Sequence, residues 1–265
     1  MSLIAFTGVK GAPGATTAAI GLAAVWPVAP ILADFDPVGG DVALRLRDPH
    51  GAALDATRGV VSLAAELRHG QPVDLTPHLQ AVNGGLSVLA GLSTSEQSCG
   101  ISDRWRLIAS CASSAATTTD VLADCGRLAA DTVTMPLLDN ADVVVVVTAV
   151  TVDALTHARR ELRWLLPRRQ SNKETRLAVL PVSPHTDAST VRLVRTAFTA
   201  GVRDTIVTLP PLAFDADGVA VLRGEKRGQL NRSWLVRSAR AIAASLRELA
   251  TQPEGDLQTV LGGVG

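Results

Sequence analysis

Residues 3–17 read LIAFTGVKGAPGATT: an apolar run, a glycine-rich turn, then two threonines that open an alanine-rich helix. Leu3 to Phe6 are apolar without alternation, as a parallel strand covered on both faces requires. Gly11 and Gly14 follow at once and let the backbone approach a ligand closely. The amides of the turn and of the first helical turn point outward at the positive end of the helix dipole, so the stretch predicts a cradle for a phosphate.

The general phosphate-loop pattern is a glycine, four residues, then Gly-Lys-Ser/Thr. It is not met: Val9 stands where the first glycine should be and Ala15 where the lysine should be. What remains, Lys10-Gly11-Ala12-Pro13-Gly14-Ala15-Thr16-Thr17, resembles the deviant loop KGGxGKTT of the MinD/ParA family. That loop carries a second, "signature" lysine ahead of its glycines. Lys10 holds the signature position and Ala15 replaces the ordinary lysine. Lys10 is one of three lysines in the chain, with Lys173 and Lys226, which argues against drift at that position. A tight strand-to-helix turn in an unrelated α/β protein would show the same glycines, so the remaining motifs decide.

A second apolar strand, Pro30 to Ala33, runs into Asp34-Phe35-Asp36-Pro37-Val38-Gly39-Gly40-Asp41. Acids at the end of a strand sit on the carboxyl edge of a parallel sheet, where ligands bind in open α/β folds. An Asx-type turn capping a helix near Asp41 would use the same residues. The segment resembles the family motif DxDPxG, whose later acid, here Asp36, helps position the attacking water and the Mg²⁺ shell. The strand Val121 to Asp124 ends in an acid in the Walker B manner, in which the carboxylate holds a Mg²⁺-bound water, with Asp120 and Asp131 as nearby rivals. The resemblance thus implies ATP and Mg²⁺ as cofactors. Lys10 to Thr17 would hold the nucleotide, Thr16, Asp36 and Asp124 the metal, and Lys10 and Asp36 would act in hydrolysis.

Beyond the motifs, helices are expected over 16–25, 59–67, 74–82, 104–116, 191–200 and 233–249, with another after the strand Asp142 to Thr148. Further strands are expected over 85–92, 177–182 and 206–209, and a mobile loop over 93–102. Alternation of strands and helices without a linker or repeat predicts an α/β fold: one doubly wound, mostly parallel sheet with helices on both faces, as in P-loop NTPases of the MinD/ParA kind. Residues 1–250 are read as a single domain and 251–265 as a flexible tail. The stretch 210–228 is similar to the one that the family places over the nucleotide base and at the dimer interface.

The 265 residues are 47% hydrophobic and 19% charged, the composition of a folded protein and not of a disordered one. Cys99, Cys111 and Cys125 are odd in number and lack metal-ligand spacing, so neither a disulfide framework nor a zinc site is indicated. Cys125 reads as a small buried hydrophobe. No leader pattern or apolar run of about 18 residues is present, so a cytoplasmic location is expected, with recruitment to membrane or nucleoid only through a partner. The tail after Pro253 does not read as a basic amphipathic anchor.

Net charge is zero, but residues 1–132 carry 8 Lys and Arg against 12 Asp and Glu, and residues 133–265 carry 17 against 13. Late arginines would give ParA-like proteins a nonspecific DNA contact, although solvated helix faces explain them more simply.

Departures from the family matter as much. Ala15 cannot supply the charge-assisted phosphate contact of a loop lysine. Val9 and Ala12 place side chains where glycine is usual and would crowd the cradle. The adenine-reading Asn expected after strand 177–182 is absent from Leu180-Pro181-Val182-Ser183. Two functions are compatible with this pattern. One is a nucleotide-dependent homodimer that positions another assembly (partition, division-site or pilus and secretion machinery), acts with a protein partner, and hydrolyses ATP weakly. The other is a pseudo-ATPase scaffold that keeps the fold and the dimer face.

Overall fold

The structure is a computed structural model of the 265-residue chain. It describes residues 1–11, 14–67, 70–166, 175–198, 206–223, 225–226 and 229–251. The 251–265 tail of the sequence reading therefore lies, from residue 252 onward, outside the described residues, as do Ala12 and Pro13 of the loop.

Among the described residues nine strands form one sheet: β1 (Leu3–Gly8), β2 (Ile31–Asp34), β3 (Gln80–Ala81), β4 (Ser87–Leu89), β5 (Val121–Arg127), β6 (Val143–Ala149), β7 (Arg176–Ser183), β8 (Ile206–Thr208) and β9 (Leu212–Ala213). Their spatial order is β3-β4-β2-β5-β1-β6-β7-β8, with β9 also on β7. All pairs are parallel except β3 with β4. β1 lies centrally between β5 and β6, which is why its residues need not alternate.

Successive residues of β1 go to opposite cores. Leu3 and Ala5 join a core with Trp105, Ile108, Leu137 and Leu162, and Ile4 and Phe6 join one with Leu22, Leu235, Ile242 and Leu246. The first core is covered by α3 (Val60–Glu66), α5 (Trp105–Ala115), α6 (Met135–Asn140), α7 (Val152–Leu165) and α8 (Ala188–Phe198). The second is covered by α1 (Ala15–Ala23) and α10 (Trp234–Thr251). The doubly wound arrangement is as expected from the sequence. The stripe Leu235, Ala239, Ile242, Leu246 and Leu249 is buried throughout. The helix expected over 191–200 is α8, and its last two expected residues lie outside the described set.

Two local expectations are corrected. Residues 93–102 are not a loop but contain α4 (Ser95–Gly100). Thr94 Oγ1 accepts from Gln97 N at 3.4 Å, capping the helix, and Gln97 Oε1 accepts from Ser93 N at 2.7 Å, which holds the entering chain against the first turn. Residues 74–82 are not a helix: a single 3-10 turn, Thr76–His78, gives way to β3. Pro77 removes a donor there, and the Gln80 side chain is held by the backbone of Asp55 and Arg58, which extends the chain instead. His78 in that turn is fixed by Ser62 Oγ, 2.8 Å from Nδ1, and by Glu66 Oε2, 3.1 Å from Nε2.

At the opposite end of the sheet from the acid motif, Asp120 is 3% exposed. It accepts from Ser2 N and Trp26 Nε1, each at 2.9 Å, with Arg247 Nε at 3.6 Å. Asp120 is thereby a clamp joining β1, β5, α1 and α10, and it is not a rival to Asp124. Asp120→Ala would strand two buried donors, and we expect it to lower stability by about 2 kcal/mol in urea unfolding, while Asp120→Asn costs less.

Candidate functional site

β1, β2 and β5 end side by side, and their carboxyl ends form the floor of the site. Gly8 closes β1, Lys10 projects exposed, and Gly11 has φ 78°. Gly14, with φ 119°, leads into α1, and its carbonyl accepts from Ala18 N at 2.8 Å. A Cβ on either loop glycine would meet nothing within 4 Å, so backbone conformation and not space demands glycine here. Val9 is 1% exposed and packs into the first core, so its side chain does not crowd the cradle as the sequence had suggested.

The acids are packed by glycines. Asp34 ends β2 fully buried; its Oδ1 accepts from Asp36 N at 3.2 Å and its Oδ2 from Val42 N at 3.0 Å. A Cβ on Gly40 would fall 2.3 Å from Asp34 Oδ2, and one on Gly91 2.7 Å from Asp34 Cγ. The Asx-type role considered for these acids is therefore real. Asp34 fixes the bend and the start of α2 (Val42–Arg45), while Asp36 accepts from Val38 N at 2.9 Å. The same bend carries Asp36 over Gly126, whose absent side chain leaves room for the carboxylate.

Asp124 stands opposite Asp34 in the register of β2 and β5 and is fully buried. Its Oδ1 accepts from Gly126 N at 3.2 Å, and its Oδ2 makes no hydrogen bond of normal geometry among the described residues, although the Thr16 hydroxyl is near enough to act on the carboxylate. Burial, reinforced by Asp124, pushes Asp34 up to about 8. Burial likewise pushes Asp124 up to about 6, against the opposing pull of the Thr16 hydroxyl, the Gly126 N–H and the more distant Arg45. Asp36 is raised by burial, opposed by the Val38 N–H. The buried Asp124 oxygen without a partner, with Asp36 nearby, is where a positive charge would be stabilised.

No group of three or more His, Cys, Asp or Glu able to hold a metal occurs among the described residues. This donor set suits Mg²⁺, which takes one or two protein oxygens and completes its shell with phosphates and water. Thr16 and Asp124 would hold it, with Asp36 beside them. Cys125 is buried and its thiol is raised well above the usual range by burial and by the neighbouring acids, in keeping with a packing role. Asp131 is exposed, unlike the buried Asp124.

Two clefts meet at Gly14 and Thr16. One, of about 380 Å³, lies between the loop, Asp36, Gly126 and Arg127. The other, of about 400 Å³, is lined by Thr17, Arg45, Phe214, Asp215 and Arg223. The stretch 210–228 supplies its far wall through β9 and α9 (Ala216–Leu222). Asp215 caps α9 through Gly218 N at 2.8 Å and receives Leu235 N at 3.2 Å, which ties that wall to α10. Phe214 is 63% exposed on the rim.

Of the residues singled out in the sequence, Gly11, Gly14, Ala15, Thr16 and Asp36 line the first cleft and Thr17 the second, Asp124 is buried in β5, and Lys10 is exposed on the loop and lines neither. The sequence reading missed Arg45, whose Nη1 donates to Thr17 Oγ1 at 3.1 Å and whose Nη2 pairs with Asp41. The i,i+4 spacing of Asp41 and Arg45 was the available signal.

Four of the late basic residues have local partners: Lys226 with Asp217 at 2.8 Å, Arg223 with Glu225 at 3.6 Å, Arg240 with Asn231 at 3.0 Å, and Arg237 over the Trp234 ring, while Arg227 lies outside the described residues. No helix among the described residues is long and apolar enough to cross a membrane.

No family model matches the chain. Over 167 residues it is 36% identical to the ESX-1 secretion-associated protein EspI of Mycobacterium tuberculosis, a match that takes in 61% of this chain and 24% of EspI. The chain thus spans about a quarter of the length of that curated relative. Among solved structures, a ParA family ATPase from Chlorobium tepidum superposes with a TM-score of 0.70 at 16% identity, covering 92% of this chain and 98% of the other. The septum site-determining protein MinD of Pyrococcus horikoshii, complexed with Mg-ADP, superposes with a TM-score of 0.64 at 13% identity, covering 94% and 97%.

Proposed function

From a chain that has the fold of ParA- and MinD-type P-loop ATPases, we propose an ATP-binding dimerisation switch with weak hydrolysis that positions or regulates another assembly. The similarity to EspI favours a secretion assembly among the candidates, with a protein of that machinery as partner. The observation that carries the nucleotide reading is the orphaned Asp124 Oδ2 in a glycine-packed acid cluster at the N-terminus of α1. An anion and a cation are needed together there, and a Mg²⁺ nucleotide is both.

In this reading the amides around Gly14 bind phosphate, Thr16 and Asp124 hold the metal, and Asp36 orients a water. Bound Mg²⁺ would neutralise phosphate charge as it develops. Lys10, exposed and without a hydrogen bond or ion pair among the described residues, is free to reach a second subunit. The wall formed by 210–228 would cover the base. Residues 1–250 would act as one domain in the cytoplasm, and any DNA contact would be secondary.

The pseudo-ATPase reading is favoured by one observation, the methyl group of Ala15 where the fold's usual lysine would stand. Titration with a fluorescent ATP analogue and Mg²⁺, read beside light scattering, tests both. We expect micromolar binding with doubled mass, lost in Lys10→Ala and Asp36→Ala. Binding with no phosphate release would leave the scaffold, whereas no binding at millimolar nucleotide with unchanged mass would overturn the nucleotide reading altogether.

A further inference from the structure

A phosphate cradle with alanine at position 15 lacks its usual cation, and the structure holds another cation against Thr17, in the first turn of α1. Arg45 ends α2, and its side chain is 19% exposed. Nη1 donates to Thr17 Oγ1 at 3.1 Å, Nη2 pairs with Asp41, and the guanidinium lines the 400 Å³ cleft together with Gly14, Thr16 and Thr17.

This placement is built and not incidental. α2 is anchored at its first residue, because Val42 is fully buried in the second core and its N–H is bound by Asp34 Oδ2 at 3.0 Å. The buried acid that shapes the bend therefore also fixes where Arg45 stands. Asp41 then orients the guanidinium from four residues back. A guanidinium has five N–H donors in a planar fork, so these two contacts leave donors for a ligand. An exposed i,i+4 ion pair alone would need neither the burial nor the threonine contact.

We propose that Arg45 supplies, from outside the loop, the phosphate-binding charge absent at Ala15, and that it meets the di- or triphosphate of a nucleotide at the end of its cleft that opens onto Gly14 and Thr16, the far wall being left to the base. The assignment rests on the nucleotide reading above and goes further, since it names the residue that compensates the loop. A fork binds two phosphate oxygens at once, whereas a lysine offers a point charge, so affinity should depend on the number of phosphates.

The test is a Mg²⁺-nucleotide titration with fluorescent analogues of ATP, ADP and AMP, run on the wild type, Arg45→Gln, Arg45→Lys and Arg45→Gln with Ala15→Lys. Melting temperatures serve as the folding control. Arg45→Gln should weaken ATP and ADP by about tenfold to a hundredfold and AMP by less. Arg45→Lys should lose less, and Ala15→Lys should restore most of the affinity lost in Arg45→Gln. A wild type that binds while Arg45→Gln and Arg45→Lys bind equally well overturns the Arg45 assignment alone. Absence of binding by the wild type overturns the nucleotide reading and this assignment with it.

Discussion

Gly126→Ala is expected to lower stability by about 3 kcal/mol and to abolish nucleotide binding through Asp36. Gly126 has φ 65°, a left-handed conformation that costs an L-residue about 1–2 kcal/mol. An added Cβ would stand 2.6 Å from Asp36 Cγ and 2.6 Å from Asp36 Oδ1, so one of the two must move. The glycine cannot move readily: its N–H is bound to Asp124 Oδ1 and its carbonyl accepts from Thr7 Oγ1 at 3.0 Å. Asp36 is therefore displaced, and its Val38 N–H contact with it.

Urea unfolding of Gly126→Ala, Asp36→Ala and the double variant separates the steric part from the backbone part. The double variant should be clearly more stable than the sum of the two losses predicts, because the clash exists only when both side chains are present. Gly126→Ala within 0.5 kcal/mol of the wild type would refute the account.

That single glycine illustrates what the sequence could and could not reveal. The sheet was legible because burial on both faces leaves a mark on every strand. β1 and β6 are apolar without alternation, and the stripe of α10 repeats at helical spacing. The acids were legible because Asp34 closes the apolar strand β2, Asp36 follows it by two residues, and Asp124 comes after an apolar run in β5. Gly126 was not, since its necessity arises from Asp36, ninety residues earlier, arriving above it. Arg45 was hidden for a similar reason. It lies on a four-residue helix with no periodic signal, and its meaning comes from Asp34 holding that helix beside α1. Val9 was misjudged because a sequence gives the residue but not the face to which it turns. α4, in contrast, carried a readable signal in Thr94 and Gln97, and only its polar composition suggested a loop.

Without Mg²⁺ or nucleotide, the protein should become less stable as pH rises from 5 to 8. Asp34, at about 8, and Asp124, at about 6, both lie above the 3.8 of a free aspartate. The unfolded chain gives up these protons near pH 4, while the folded chain keeps them until pH 6 to 8. In that window the folded state binds more protons, so each rise in pH favours unfolding, and the full penalty is present above about 8. Asp36 adds to it, and Asp41 faces the same cluster, while Arg45 opposes it. The acids of depressed pKa act elsewhere: Asp187, at about 2 through its contacts with Thr190 and Ser189, contributes stability that is lost only on acidification below the ordinary carboxylate range.

Melting in EDTA should therefore show a fall of roughly 5 °C or more between pH 5 and 8. Asp34→Asn isolates the cause. The amide offers one acceptor where two N–H groups need acceptors, so at pH 5 the variant should be less stable than the wild type by about 1–3 kcal/mol. It cannot ionise, however, and the gap should close or reverse by pH 8. A gap that stays constant across that range would show that the acid cluster carries no stored charge penalty. A closing gap would mean that the cluster is built at the expense of the free protein and awaits a cation.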